Sequence, residues 1–159
     1  MKKAGITLND RTVVAPAVEK AKITGNPAAA IMLPDGKIIT GKTSELLGAS
    51  SALLLNSLKT LAGIDDSIHL ISPVIIEPIQ HLKTSHLKNR NPRLHTNEIL
   101  IALSICAATD ENAELAMQQL SKLRGCELHS SVILYSVDEN VFRRLGINFT
   151  CEPAYQIQK

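Results

Sequence analysis

Tryptophan is absent from this chain, and its aromatic residues stop at Tyr135, Phe142, Phe149 and Tyr155. Binding of single-stranded nucleic acid relies on aromatic faces for base stacking, so this scarcity counts against that function. Charge of one sign is also scarce: the formal net charge is +2. That is too small a balance to mark a nucleic-acid or membrane-surface protein by itself. Cysteine is confined to Cys106, Cys126 and Cys151, an odd number at wide spacing with no CxxC pair. Ordinary buried thiols in a reduced cytosol are the simplest account. Long apolar runs are missing too. The start, MKKAGITLNDR, has two lysines and no apolar stretch behind them, so neither a signal peptide nor a transmembrane helix is expected.

What is present is aliphatic. Hydrophobic residues make up 45% of 159 residues, which suits one domain spanning 1–159 with a core of Leu, Ile, Val and Ala. Asn9 or Asp10 can cap a first helix over 11–24, stopped by Gly25-Asn26-Pro27. AAAIMLP (28–34) and KIITGK (37–42) read as strands joined by Asp35-Gly36, a hairpin signal of the type I′ kind. The stretch 49–63 is apolar nearly all round and predicts a helix buried beneath the sheet. Ser72-Pro73 is a helix start, Pro78 is a second start or a break, and residues 89–92 form a loop. Thr96 can cap a helix over 97–108, and Thr109-Asp110 opens another over 111–124 that stops at Gly125. HSSVILYS (129–136) is a strand. Ser136 to Glu139 has capping-box spacing for a helix over 137–145 ending at Gly146, and 147–151 is the last strand. The predicted fold is α/β: three layers, α/β/α, around a small mixed sheet with an N-terminal β-hairpin and a final right-handed β-α-β crossover.

Two features invite a functional reading. Gly36 to Thr43 matches GxxxxGK[ST] letter for letter, but that motif works only where a glycine-rich loop follows a strand and opens into a helix. Here the middle residues, Lys-Ile-Ile-Thr, read as the strand itself. A weaker version is that Lys42, Thr43, Ser44 and Glu45 sit where strand yields to helix, with amides and a lysine to hold an anion; a solvated, capped strand end is the bland alternative. The other feature is a basic segment: His81, Lys83, His86, Lys88, Arg90, Arg93 and His95, with no acid between Glu77 and Glu98. Arginine beside a loop offers forked donors for phosphate or carboxylate, and Asn91, Arg93, His95, Asn97 and Glu98 add mixed donors and acceptors around a helix start. A solvated loop face is the plain alternative. No metal site is expected, because zinc needs three or four ligands and none here has tight spacing. Cys106 lies on an apolar helix, where a thiol is inert. His129 and Ser130 at a strand start could line a polar pocket.

The opening layout of helix, strand, Asp-Gly turn, strand and Ser/Ala-rich helix resembles the cytidine-deaminase fold. Enzymes of that fold carry a zinc ligand and a catalytic Glu at the second helix, with PCxxC beyond. This chain has Gly48-Ala-Ser-Ser-Ala52 there and no PCxxC, so the deaminase chemistry is not expected.

The blocks TGKTSELLG (40–48), NPRLHTNEILIALSICA (91–107), GCELHSSVIL (125–134) and LGINFTCEPAYQ (145–156) carry a further resemblance. They are similar to the C-terminal portion of the bacterial domain of unknown function 1846 family, also called uncharacterised protein family 0371. The resemblance implies a cytoplasmic bacterial protein with a cytidine-deaminase-like C-terminal domain. It also implies a longer parent whose N-terminal part is a partner, leaving this chain either an excised domain or a short relative. It supplies no catalytic residues. The expected function is therefore one wall of a phosphate- or carboxylate-binding small-molecule site, not catalytic alone and without a cofactor, in a homo-oligomer. A structural or oligomerisation domain with no ligand is the alternative, and a degenerate or unrecognised metal-dependent hydrolase the third. The candidate ligand-binding residues are Lys42, Thr43, Ser44, Glu45, Asn91, Arg93, His95, Asn97, Glu98, His129 and Ser130.

Overall fold

Alternation along one strand decides the layering. β1 (Ala28–Met32) sends Ala30 and Met32 against Val13 and Ala17, beside and within α1 (Val14–Thr24), and sends Ala29 and Ile31 into the main core. Helices therefore cover both faces of the sheet. The computed structural model describes residues 12–153; the Asn9 or Asp10 cap and the tail beyond Pro153 lie outside them. β1 pairs antiparallel with β2 (Ile38–Lys42) and, on its other side, with β3 (Glu127–Ser130). β3 pairs in parallel with β4 (Asn148–Cys151), giving a mixed sheet in the order β2-β1-β3-β4. The α/β class, the small mixed sheet and the hairpin are as the sequence predicts.

The main core is aliphatic, as composition requires. Leu53, Leu54 and Leu58 of α2 (Ala49–Ala62) meet Ile99 and Leu103 of α4 (Thr96–Cys106), Ala113 and Ala116 of α5 (Glu111–Met117), and Phe142 of α6 (Ser136–Leu145). Gly41 lets α2 lie directly on β2, since a Cβ there would stand 2.4 Å from the Leu53 nitrogen. α3 (Pro73–His81) begins at Ser72-Pro73, and the Ser72 hydroxyl accepts from Val74 N–H at 3.2 Å. Pro78 neither starts nor stops it, and the chain continues through a π-helical turn, Leu82–His86. No helix among the described residues is long and apolar enough to cross a membrane.

Five local expectations are corrected. The hairpin turn is not type I′: of Asp35 and Gly36, only Gly36 (φ 89°) has a positive φ. Leu33 C=O accepts from Gly36 N–H and Leu33 N–H donates to Lys37, so Pro34-Asp35-Gly36 makes a three-residue loop. The strand placed at 129–136 runs over 127–130 instead. The Ser130 hydroxyl donates to Val132 C=O and accepts from Val132 N–H, a local turn that ends the ladder. The helix over 111–124 stops at Met117, and a 3₁₀ turn, Leu120–Leu123, follows that puts Leu123 in the core. Thr96 is the first residue of α4, not its cap; the N-cap is His95. The capping box at Ser136 does not form, because α6 begins at Ser136 behind Tyr135 with no side-chain cap.

Candidate anion-binding cavity

Three helices start at one place. The N-terminal ends of α2, α4 and α6 bring Gly48, Ala49, Ser50, His95, Tyr135 and Asp138 onto the wall of a cavity of about 680 Å³. The C-terminal turn of α1 closes another side through Lys22 and Asn26. A helix N-terminus presents unpaired N–H groups and the positive end of the helix dipole, so a hollow where three converge favours negative charge.

The starts of α4 and α2 are answered differently. α4 already has its anion: Asp138, reaching over from α6, accepts from Thr96 N–H at 3.0 Å and from the Thr96 hydroxyl at 2.7 Å. Its other oxygen lies 3.5 Å from His95 Nδ1. Burial pushes the Asp138 carboxyl up, but the hydrogen bonds from His95 and Thr96 outweigh it and hold the pKa below its ordinary value. The His95 ring also meets Tyr135 edge-on, with centroids 4.8 Å apart. Among the described residues α2 has no such partner. Its N-cap is Gly48, no described side chain caps it, and Ala49 and Ser50 line the cavity.

Arg93 stands beside this open start. The Nε–H donates to Ser44 C=O, and among the described residues the terminal Nη groups have no hydrogen-bond partner. The backbone of Arg93 is pinned twice: its N–H donates to Asn91 Oδ1 at 3.1 Å, and its C=O accepts from the Lys83 ammonium at 2.6 Å. Lys83 is buried and also bonds Glu98 at 2.8 Å, while Glu98 accepts from His95 N–H at 2.7 Å. One buried lysine thus ties the loop carrying Arg93 to the first turn of α4.

Of the residues singled out in the sequence, Thr43, Asn91, Arg93, His95 and Ser130 share the cavity wall. Lys42, Ser44, Glu45, Asn97, Glu98 and His129 lie off it. Lys42, Glu45 and Asn97 are exposed. Ser44 caps its own turn, with its hydroxyl accepting from Leu46 and Leu47 N–H. Thr43 N–H is spent on Pro27 C=O. The amides expected at 42–44 are therefore not open to an anion; six residues on, Ala49 and Ser50 at the start of α2 line the cavity. The P-loop match fails for the anticipated reason, since three of its four middle residues, Ile38 to Thr40, lie in β2. His129 is fully enclosed and bonds Thr150 through Nδ1 and Glu152 through Nε2, each at 2.7 Å. The basic segment also divides: His81, His86, Lys88 and Arg90 are exposed and off the wall, and Lys83 is structural. Among the described residues no three His, Cys, Asp or Glu side chains group as metal ligands would.

Lys22, Ala49, Ser50, Asp138 and Glu152 were not anticipated. One signal was legible: α2 opens at Gly48 where Ser, Thr, Asp or Asn would ordinarily cap. The roles of Asp138 and Glu152 depend on contacts 42 and 23 residues away, which no local pattern carries.

The fold and cavity define an α/β domain with a hollow of mixed polar and apolar lining at converging helix starts. Comparison with known sequences places it further. The profile described as "Domain of unknown function DUF1846, C-terminal" matches residues 9–159, and the chain belongs to that family. It is 62% identical over 98% of its length to a UPF0371 protein of Corynebacterium efficiens. It is 59% identical over its whole length to a UPF0371 protein of Corynebacterium diphtheriae, and 54% identical to one of Streptococcus pyogenes serotype M5. The chain spans about a third (32%) of the length of these curated relatives.

Proposed function

We propose that this domain binds a small phosphate- or carboxylate-bearing molecule in the cavity, supplying one wall of a site whose remainder belongs to a larger cytoplasmic protein. The observation that carries the proposal is that Arg93, His95, Thr43 and the uncapped start of α2 line a single hollow. Forked Nη donors and first-turn amides together match the oxygens of an oxyanion. The domain is not catalytic alone. Its helix–hairpin–helix opening supports a relation to the cytidine-deaminase fold without the zinc chemistry, because Gly48 to Ala52 offers no metal ligand. The test is thermal stabilisation of the chain by phosphate, sugar phosphates and nucleotides. A saturable rise in Tm, lost in Arg93→Ala, supports the proposal; no rise with any of them refutes it.

A second reading has its own observation. Ile101 and Ile105, one turn apart on α4, are 60% and 66% exposed. Such a face suits an assembly domain of a homo-oligomer or a docked N-terminal part of a longer parent. Light scattering separates this reading: a stable oligomer dissociated by Ile105→Lys, with no ligand response, favours it.

A further inference from the structure

We infer that the occupant of the cavity carries a protonated amine as well as its anionic group; this rests on the anion-binding proposal and narrows it. Among the described residues fixed charge on the wall is balanced, not uniformly positive: Lys22 and Arg93 are matched by Asp138 and Glu152. Carboxylates repel a simple anion, so their presence needs a reason. Asp138 has one, since Thr96 and His95 consume its oxygens.

Glu152 is used internally through one oxygen only. Its backbone N–H donates to Ser130 C=O at 3.0 Å, which fixes the residue at the end of β4. Its Oε2 accepts from His129 Nε2 at 2.7 Å. A carboxylate only accepts, so Nε2 carries the hydrogen of that bond. The imidazole is fully enclosed, whereas the Glu152 side chain is 36% exposed. His129 thus holds the carboxylate from behind, and Oε1 has no hydrogen-bond partner among the described residues. An oriented, open acceptor on one wall and open donors on another describe a site for a two-ended molecule. Its phosphate or carboxylate would meet Arg93 and the α2 amides, and its ammonium would meet Glu152. A hydroxyl could satisfy Oε1, but only a cation also balances its charge, and charge-assisted bonds are roughly twice as strong.

Isothermal titration of the chain with inorganic phosphate, ethyl phosphate, 2-hydroxyethyl phosphate and O-phosphoethanolamine tests this. The amine-bearing compound should bind about tenfold more tightly than ethyl phosphate, from one added charge-assisted bond. In Glu152→Gln that gain should vanish, and inorganic phosphate should bind no more weakly, since a repelling charge is removed. Equal affinity for ethyl phosphate and O-phosphoethanolamine overturns the inference and leaves the anion site standing. So does an equal gain from the hydroxyl compound, or a gain that survives Glu152→Gln. Failure of all four to bind removes the anion site itself. The comparison on the unaltered chain decides even if the variant does not fold.

Discussion

The Asp138 carboxylate sits at the first turn of a helix other than its own, accepting both the N–H and the hydroxyl of Thr96. Replacing it strands two buried donors. Asp138→Ala is expected to cost about 3 kcal/mol and Asp138→Asn, which keeps one acceptor, about 1–2 kcal/mol, read from urea unfolding midpoints. A cost below about 0.5 kcal/mol for the alanine variant would show that the cap contributes little.

The same residue gives a pH dependence. Its folded pKa lies below the ordinary 3.8. The stabilisation is therefore fully present above that value and is lost as pH falls through the lower folded value. Acid titration of stability should show a shallower decline below pH 4 in Asp138→Asn than in the unaltered protein. Identical slopes would contradict the assignment.

Lys83 and Arg93 make a separable pair. Lys83→Met leaves Glu98 without its buried partner and frees the Arg93 carbonyl, so a loss of roughly 3 kcal/mol is expected. Arg90→Ala, an exposed neighbour, should change stability by less than about 0.5 kcal/mol. If the two variants were equally mild, the lysine would not organise this loop.

Gly41→Ala should be among the most damaging small substitutions. The added methyl would meet the backbone of Leu53, which cannot swing aside as a side chain can, and α2 would have to lift from β2. A loss of about 3 kcal/mol is expected in thermal or urea unfolding. Gly36→Ala, with open space around its Cβ position, should cost only the strain of its positive φ, about 1 kcal/mol.

The thiols should be quiet. Burial is the leading cause that pushes Cys106 and Cys126 above the ordinary thiol value, with Asp110 and Glu127 adding to it respectively. Iodoacetamide at neutral pH should leave both largely unmodified in the folded chain and modify them on unfolding. Rapid labelling of Cys106 in the native state would contradict its buried placement.

How far the sequence revealed this molecule follows the range of each signal. Asp35-Gly36, Ser72-Pro73, Asp110 and Gly146 act within a few residues, and each marks a turn, start or stop that forms nearly where expected. Ser130 shortened a strand because its hydroxyl competes for Val132, a contest that hydrophobic pattern does not register. Arg93, His95, Asn91, Thr43 and Ser130, singled out by polarity or motif, lie on the cavity wall. Charge counting could not see that Lys83 turns inward to Glu98, fifteen residues on. Nor could it place Asp138 or Glu152, whose partners arrive only through folding.

Backbone amide NMR during a phosphate titration addresses the cavity most directly. Saturable shifts at Ala49 and Ser50, together with the Arg93 Nε–H, are expected, while Lys88 and Arg90 stay unmoved. Shifts spread over the exposed lysines and arginines, or none at the start of α2, would show that phosphate is not held there.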